Sequence, residues 1–229
     1  MTLPQTLELN PGATPVATVF ILHGLGADGT DFLPFADAMD LGSVGPVRYV
    51  FPRAPERPVT VNGGQRMRAW YDILAFGGSS REDDAGLRES FAQIHGLLDA
   101  EIARGMPASR IVLGGFSQGC AITLGAGLRY GQRLAGLVGM SGYLPLAAST
   151  AAERHAANAS TPVLLAHGTR DPMVQLSRGR AGHDALKALG QPVEWHEYPM
   201  EHSVCMEEVQ QVQSFLQRVL AAGDPVFGA

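Results

Sequence analysis

The strongest constraint on the fold is a regular alternation between short apolar runs and longer amphipathic segments. The runs are rich in Val, Ile and Leu and have the length of buried strands; they span 16–23, 47–51, 110–114, 134–140, 163–167 and 193–198. The segments between them suit helices, with apolar residues three and four positions apart, at 84–104, 118–130, 148–158, 176–189 and 205–222. This alternation predicts an α/β fold of three layers, with a mostly parallel central sheet and helices on both faces.

Composition narrows the class of protein further. The 229 residues are 45% apolar and 17% charged, and no repeat or long linker divides them, so we expect a single domain spanning 1–229. A net charge of −5 without a basic stripe argues against a nucleic-acid partner. The apolar runs are far shorter than the roughly 20 residues of a membrane span, so no membrane insertion is expected. The first residues lack a secretory signal, which favours a cytoplasmic protein, and two cysteines in such a chain are expected to be free thiols.

The motif Gly-Phe-Ser-Gln-Gly at 115–119 lies between a predicted strand and a predicted helix. In that context G-x-S-x-G is typical of the nucleophile elbow of α/β-hydrolases, a sharp turn that exposes the serine hydroxyl. Glycines two positions either side leave room for the strained turn. The alternative is a plain strand-to-helix connection in which Ser117 is the helix N-cap. The flanking strand and helix favour Ser117 as the nucleophile.

A serine nucleophile needs a general base and an acid that orients it. Of seven histidines, three lie at or just beyond the carboxyl ends of predicted strands, at positions 23, 167 and 202. In α/β-hydrolases the chain order is Ser, acid, His, which leaves His202 as the base. Asp171, directly after the strand 163–167, is the predicted acid. Its rivals are less suitable because Glu201 adjoins the histidine in the chain and Asp184 belongs to a helix; by itself, Asp171 before proline would be an ordinary turn residue.

The glycine-rich segment 22–29 follows the first central strand and is expected to provide part of an oxyanion hole. We assign the two hydrogen-bond donors of the oxyanion hole to the backbone amides of Leu25, in this segment, and Gln118, the residue after the nucleophile. A phosphate-binding loop is disfavoured because the glycine spacing differs from a Rossmann motif and no Gly-Lys-Ser/Thr follows. Apolar residues beside the predicted strand ends are candidates for the substrate groove, although core packing explains each of them equally well; they are Trp70, Ile73, Leu74, Phe76, Leu144, Met173 and Val174.

These motifs together resemble the acyl-protein thioesterase and carboxylesterase family of small α/β-hydrolases. The resemblance covers nearly the whole chain and rests on segments 22–28, 68–72, 114–119, 141–146, 167–174 and 198–202. It implies a cofactor-free serine hydrolase with Ser117, Asp171 and His202 as its triad. Two positions depart from the family pattern: Cys120 and Glu201 stand where many members have glycine. We expect Cys120 to narrow the site and Glu201 to raise the basicity of the neighbouring imidazole.

The predicted activity is cleavage of carboxylic esters or acyl thioesters through a covalent acyl-enzyme. The expected substrates are small-molecule or lipid acyl esters, including S-acylated proteins, with no cofactor or metal, and the enzyme would be a monomer or homodimer. Cys205 three residues after His202 offers too few ligands for zinc and is expected to be a buried helix thiol. Two alternatives remain: a non-catalytic ligand-binding or scaffold protein with this fold, and a peptidase.

Overall fold

A computed structural model describes residues 2–75 and 82–221 of the chain. Within these ranges the strands are β1 (Thr6–Leu9), β2 (Ala17–Leu22), β3 (Val47–Pro52), β4 (Glu56–Val59), β5 (Gln65–Arg68), β6 (Ile111–Phe116), β7 (Gly136–Met140), β8 (Val163–Gly168) and β9 (Val193–Tyr198). The helices are α1 (Leu33–Asp37), α2 (Asp84–Ala103), α3 (Gln118–Arg129), α4 (Ala147–Glu153), α5 (Leu176–Ala188) and α6 (Met206–Val219).

The main sheet has the strand order β1-β3-β2-β6-β7-β8-β9. Strand β1 runs antiparallel to β3, and every other neighbouring pair in this sheet is parallel. All six predicted strands are present with ends within two residues of the predicted ones. The predicted α/β-hydrolase architecture, a mainly parallel sheet with helices, is therefore confirmed.

Each face of the sheet has its own apolar core. Successive side chains of β2 point to opposite faces: Phe20 and Leu22 join the core under α2 and α3, whereas Val19 and Ile21 join the core under α1 and α6. Every residue of β2 and β3 is buried, as expected for strands covered on both sides. The sheet is the middle of three layers.

The structure differs from the sequence prediction at the periphery. The edge strand β1 and the hairpin of β4 and β5 were not predicted. The helix predicted at 148–158 ends at Glu153, and a separate 3₁₀ turn spans Ala156–Asn158. The reason is that Asn158 is buried and bonded to the chain before β7: its amide donates to the carbonyls of Tyr130 and Gln132, and its side-chain oxygen accepts from the amide of Leu134.

Strands β2, β6, β7, β8 and β9 are parallel, so their carboxyl ends lie at one edge of the sheet. The loops that follow β2, β6, β8 and β9 carry the predicted oxyanion segment, Ser117, Asp171 and His202, respectively. This topology brings together residues that are up to about 180 positions apart in the chain.

None of the helices in the described ranges combines the length and the hydropathy that crossing a bilayer requires.

Candidate active site

Ser117 lies in a strained turn between β6 and α3. Its φ of 57° and ψ of −117° place a non-glycine residue in a sparsely populated region of the backbone map. Its amide donates to the carbonyl oxygen of Met140 at 2.8 Å, which holds the turn against the end of β7. A Cβ atom at Gly119 would collide with the carbonyl of Leu22, and one at Gly115 would collide with the backbone of Gly119. Both positions of the motif therefore require glycine because of backbone crowding.

The structure places Ser117, His202 and Asp171 in one chain of hydrogen bonds. The Nε2 atom of His202 lies 2.9 Å from Oγ of Ser117, and Nδ1 lies 2.7 Å from Oδ2 of Asp171. The carboxylate is an acceptor, so Nδ1 carries the proton and Nε2 presents a lone pair to the serine hydroxyl. In this arrangement the imidazole can remove the hydroxyl proton, and the carboxylate can stabilise the positive charge that results.

Asp171 is held by the turn that follows β8. Its side chain is buried, and Oδ1 accepts hydrogen bonds from the amides of Met173 and Val174, each at 2.8 Å. The rival acids lie elsewhere: Glu201 is exposed, and Asp184 on α5 is bonded to its neighbour His183. No hydrogen bond or ion pair joins Glu201 to His202 in the described part of the chain, so the expected effect of Glu201 on the imidazole has no contact to support it.

A second buried histidine supports the same turn. His167 is the fifth residue of β8 and is 1% exposed. Its Nε2 donates to the carbonyl oxygen of Val174 at 2.8 Å and lies 3.5 Å from Oδ2 of Asp171. Burial lowers the pKa of this imidazole, which favours the neutral form that donates from one nitrogen. His167 therefore closes the turn that presents Asp171 to His202.

The glycine-rich segment that is predicted to contribute to the oxyanion hole lies close to Ser117. Gly24 approaches so closely that an added Cβ would lie 3.2 Å from Cβ of Ser117. The ring of His23 is fully buried; its Nε2 accepts from the amide of Ala54 at 3.0 Å, so its Nδ1 donates to the carbonyl oxygen of Gly24 at 2.7 Å. Because the carbonyl and N–H of a trans peptide point in opposite directions, the N–H of Leu25 points away from His23.

The second predicted donor begins helix α3. The amide of Gln118 belongs to the first turn of the helix, where backbone N–H groups have no carbonyl partner within the helix. Leu25 and Gln118 line the same cavity as Ser117 and His202. The positive end of the α3 dipole also lies here, so the edge of the sheet is suited to a developing negative charge.

The cavity above the serine has a volume of about 690 Å³. Four residues of the predicted substrate groove line it: Ile73, Leu74, Met173 and Val174. Trp70 and Leu144 do not. Trp70 is fully buried in the core, where its indole donates to the carbonyl oxygen of His23, and Leu144 packs beside Gly182 of α5. Phe76 lies outside the described residues.

Several residues of the cavity wall were missed by the sequence analysis. One wall is apolar and comes from the segment around α1 and from the start of α6: Phe32, Pro34, Phe35, Val204, Met206 and Val209. Another part of the wall carries polar groups. The hydroxyl oxygens of Tyr71 and Tyr143 lie 2.7 Å from each other, and the guanidinium of Arg178 stacks 3.7 Å from the centroid of the Tyr143 ring. The apolar wall could have been predicted from Phe32 and Phe35, two phenylalanines that follow the glycine-rich segment closely in the sequence.

The two cysteines also differ from expectation. Cys120 does not narrow the site: it is buried behind the elbow, where it faces Gly139 and Gly142, and burial raises the pKa of its thiol to about 12. Cys205 is half-buried at the N-cap of α6 and lines the cavity, so its prediction as a buried helix thiol is wrong. Among the described residues there is no cluster of three or more His, Cys, Asp or Glu side chains that could hold a metal ion.

Comparison with known proteins identifies relatives along nearly the whole length of the chain. The profile of the phospholipase/carboxylesterase family matches residues 8–220. Acyl-protein thioesterase 1 of Schizosaccharomyces pombe is 40% identical over 224 residues, covering 95% of this chain and 97% of that protein. Acyl-protein thioesterase 1 of Mycosarcoma maydis is 41% identical over 239 residues, covering 97% and 100%.

Solved structures agree with these sequence matches. Arabidopsis thaliana SOBER1 has a TM-score of 0.85 at 32% identity, covering 89% of this chain and 99% of its own. Zea mays acyl-protein thioesterase 2 has a TM-score of 0.84 at 32% identity, covering 95% and 99%. With the sheet topology and the extent of these matches taken together, the chain belongs to the phospholipase/carboxylesterase family of α/β-hydrolases and is a hydrolytic enzyme of the serine hydrolase type.

Proposed function

We propose that this enzyme hydrolyses acyl esters and acyl thioesters through a covalent intermediate on Ser117. The observation that carries the proposal is the continuous hydrogen-bonded chain from Asp171 through His202 to Ser117, with contacts of 2.7 and 2.9 Å, at the base of a cavity with apolar walls. A triad in this geometry serves acyl transfer, and the apolar walls suit an acyl chain.

In the first half of the reaction, Oγ of Ser117 attacks the acyl carbonyl carbon while its proton passes to Nε2 of His202. The carbonyl electron pair moves onto oxygen, and the amides of Leu25 and Gln118 donate to that oxyanion. Each such donor is worth about 3 kcal/mol of transition-state stabilisation. When the carbonyl re-forms, the bond to the alcohol or thiol breaks, and the leaving group takes the proton from His202.

Water completes the cycle. His202, again neutral, removes a proton from a water molecule as its oxygen attacks the acyl-enzyme carbonyl, and the same two amides hold the second oxyanion. The bond to Oγ then breaks, Ser117 regains its proton from His202, and the carboxylic acid leaves. Asp171 remains ionised throughout; it holds the ring orientation and stabilises the imidazolium that forms in each half-reaction.

We include thioesters among the proposed substrates because curated proteins that are 40% and 41% identical to this chain are named acyl-protein thioesterases. A thiolate is a better leaving group than an alkoxide, so the same machinery cleaves either bond once the carbonyl is bound. We therefore place S-acylated proteins and carboxylic esters in one substrate class, with the acyl chain against the apolar walls.

Fluorophosphonate labelling tests the catalytic proposal. The reagent modifies an activated serine, so the wild-type enzyme should form one adduct at Ser117 that S117A lacks. S117A should also lose about 10⁴- to 10⁶-fold in kcat against a nitrophenyl ester. A folded wild-type protein that binds acyl ligands without labelling or turnover would instead be the ligand-binding protein that the sequence left as an alternative.

A chain-length series tests the substrate class. Nitrophenyl esters and matched acyl thioesters from acetyl to palmitoyl should all react, and kcat/KM should rise with the first added methylenes as the acyl chain fills the apolar part of the cavity. Hydrolysis of peptides with no hydrolysis of acyl esters would replace this proposal with the peptidase alternative.

A further inference from the structure

The segment that carries Ile73 and Leu74 is not part of the central sheet. We define residues 69–75 as the wall loop. It follows β5, which pairs with β4 in a two-stranded sheet separate from the central one. Both Ile73 and Leu74 line the cavity beside Ser117. The Trp70 indole donates to the carbonyl of His23 after β2, but a loop outside the central sheet needs further contacts to keep its distance from the reacting serine constant.

The side chain of Gln118 provides such a contact. Its Oε1 accepts from the amide of Trp70 at 2.7 Å, and its Nε2 donates to the carbonyl oxygen of Tyr71 at 2.7 Å. Gln118 is 3% exposed, and Trp70 and Tyr71 are 0% and 3% exposed, so both bonds are shielded from water. The primary amide thus satisfies one donor and one acceptor of the wall-loop backbone at the same time.

Other contacts hold the wall loop to the α2 region and to the β4–β5 hairpin. The hydroxyl of Ser90 donates to the carbonyl of Trp70, and the amide of Asp72 donates to Oδ2 of Asp83 at 2.9 Å. The amide of Val61 donates to the carbonyl of Ile73 at 3.0 Å. Among these side-chain anchors in the described residues, Gln118 is the one directly adjacent to Ser117 in the chain.

We propose that the side-chain amide of Gln118 is a positioning residue that sets acyl-chain specificity by holding the wall loop at a constant distance from Ser117. This inference rests on the proposed function, in which the backbone amide of the same residue donates to the oxyanion. One residue then belongs to both halves of the site: its main chain faces the reacting carbonyl, and its side chain holds the surface that the acyl chain contacts.

A buried amide is suited to this task because no apolar side chain could replace it. Without Gln118, the N–H of Trp70 and the C=O of Tyr71 would be buried without partners, which is unfavourable enough for the loop to move or admit water. The reacting groups would stay in place, since every substitution at position 118 except proline keeps the backbone N–H. The effect should therefore grow with acyl length.

The test compares acyl lengths within one preparation of Gln118→Met, which keeps the length of the side chain and removes both hydrogen bonds. The quantity measured is the ratio of kcat/KM for octanoyl and acetyl nitrophenyl esters, which does not depend on the fraction of active enzyme. We expect this ratio to fall about tenfold relative to wild type, the scale of losing one to two methylene contacts. A loss of activity that is common to both esters cancels in this ratio.

Two further variants make the result specific. Gln118→Glu keeps the acceptor for Trp70 but places a carboxylate oxygen against the carbonyl oxygen of Tyr71, so its ratio should also fall below that of wild type. Thr123→Val is the matched control, because Thr123 is equally buried on α3, its hydroxyl has no hydrogen-bond partner in the described residues and it makes no bond to the wall loop; its ratio should stay unchanged.

The outcomes separate this inference from the proposed function. A wild-type enzyme that hydrolyses neither ester and does not label with a fluorophosphonate overturns the proposed function itself. If the wild type hydrolyses both esters but Gln118→Met lowers them by the same factor, the side chain has a purely structural role and the specificity inference is wrong. A variant too unstable to assay is replaced by Gln118→Glu, whose unchanged ratio would have the same meaning.

Discussion

Exchanging Asp171 for asparagine tests how the carboxylate acts on His202. The side chain of Asp171 makes two kinds of contact: Oδ1 accepts from the amides of Met173 and Val174, and Oδ2 accepts from Nδ1 of His202. Asparagine can keep the hydrogen bonds from the amides of Met173 and Val174, with its carbonyl oxygen in the place of Oδ1. Its NH₂ group then occupies the place of Oδ2, only 2.7 Å from the ring nitrogen that now donates.

Two N–H donors cannot face each other at that distance, so the imidazole must move its proton from Nδ1 to Nε2. The nitrogen 2.9 Å from Oγ of Ser117 then has no lone pair with which to accept the serine proton. We expect kcat/KM for nitrophenyl acetate to fall about 10⁴-fold, the scale known for a triad with the wrong tautomer. At 1.36 kcal/mol for each factor of ten, this is about 5 kcal/mol of lost transition-state stabilisation.

Steady-state hydrolysis and thermal unfolding of the same samples provide the assay. D171N should unfold within a few degrees of the wild type because the two backbone amides keep their acceptor. Asp184→Asn, an exposed change on α5, is the control and should hydrolyse nitrophenyl acetate at the wild-type rate. A loss smaller than tenfold in D171N, with the fold intact, would refute the claim that Asp171 determines the tautomer of His202.

Three further predictions concern stability and thiol chemistry. Glu208 is fully buried, and burial raises its pKa from 4.5 to about 8, a rise that the backbone of Cys205 offsets only in part. The unfolded chain releases this proton at a lower pH than the folded protein, so Glu208 destabilises the fold increasingly as pH rises from about 4.5 to about 8. Glu208→Gln should therefore raise the free energy of unfolding by up to about 3 kcal/mol at pH 7 and by little at pH 4.5, and equal gains in urea denaturation at both pH values would contradict this. Gly119→Ala should lower the free energy of unfolding by about 1 to 3 kcal/mol because its Cβ meets the carbonyl of Leu22, and an unchanged urea midpoint would show that the elbow has room. In the native protein, Ellman's reagent should leave Cys120 unmodified and react at most with the half-buried Cys205, whereas two thiols should react in urea; rapid modification of both without denaturant would contradict the burial.

The interior of the fold was predictable from sequence because its strands are apolar on both faces. Runs such as 163–167 have no polar alternation, which suits a strand between two helical layers. Strand β1 is different: its four residues are all half-buried, and its place at the sheet edge depends on pairing with β3. Such a strand is defined by a partner about 40 residues away, and a local pattern does not contain that information.

The candidate triad was predictable for a related reason. Each residue occupies a short motif directly after a strand, and parallel strands bring their carboxyl ends to the same edge. The cavity wall was harder, because a local sequence does not reveal which way a loop side chain points. Trp70 and Ile73 lie three positions apart, yet the first is in the core and the second lines the cavity. The backbone between them is bonded to Gln118, nearly 50 residues later in the chain.

Much of the cavity wall comes from four stretches of chain, around positions 32–38, 71–75, 173–178 and 204–209, whereas the reacting serine is held by backbone crowding at the end of β6. Much of the surface that faces the acyl chain is thus encoded outside the segment that holds the nucleophile. Exchanging the stretch around positions 32–38 with the corresponding stretch of a relative would alter the range of compounds accepted, while Asp171, His202 and Ser117 would keep their hydrogen-bond partners. A scaffold organised in this way can diversify by small, independent steps, both in nature and in the laboratory.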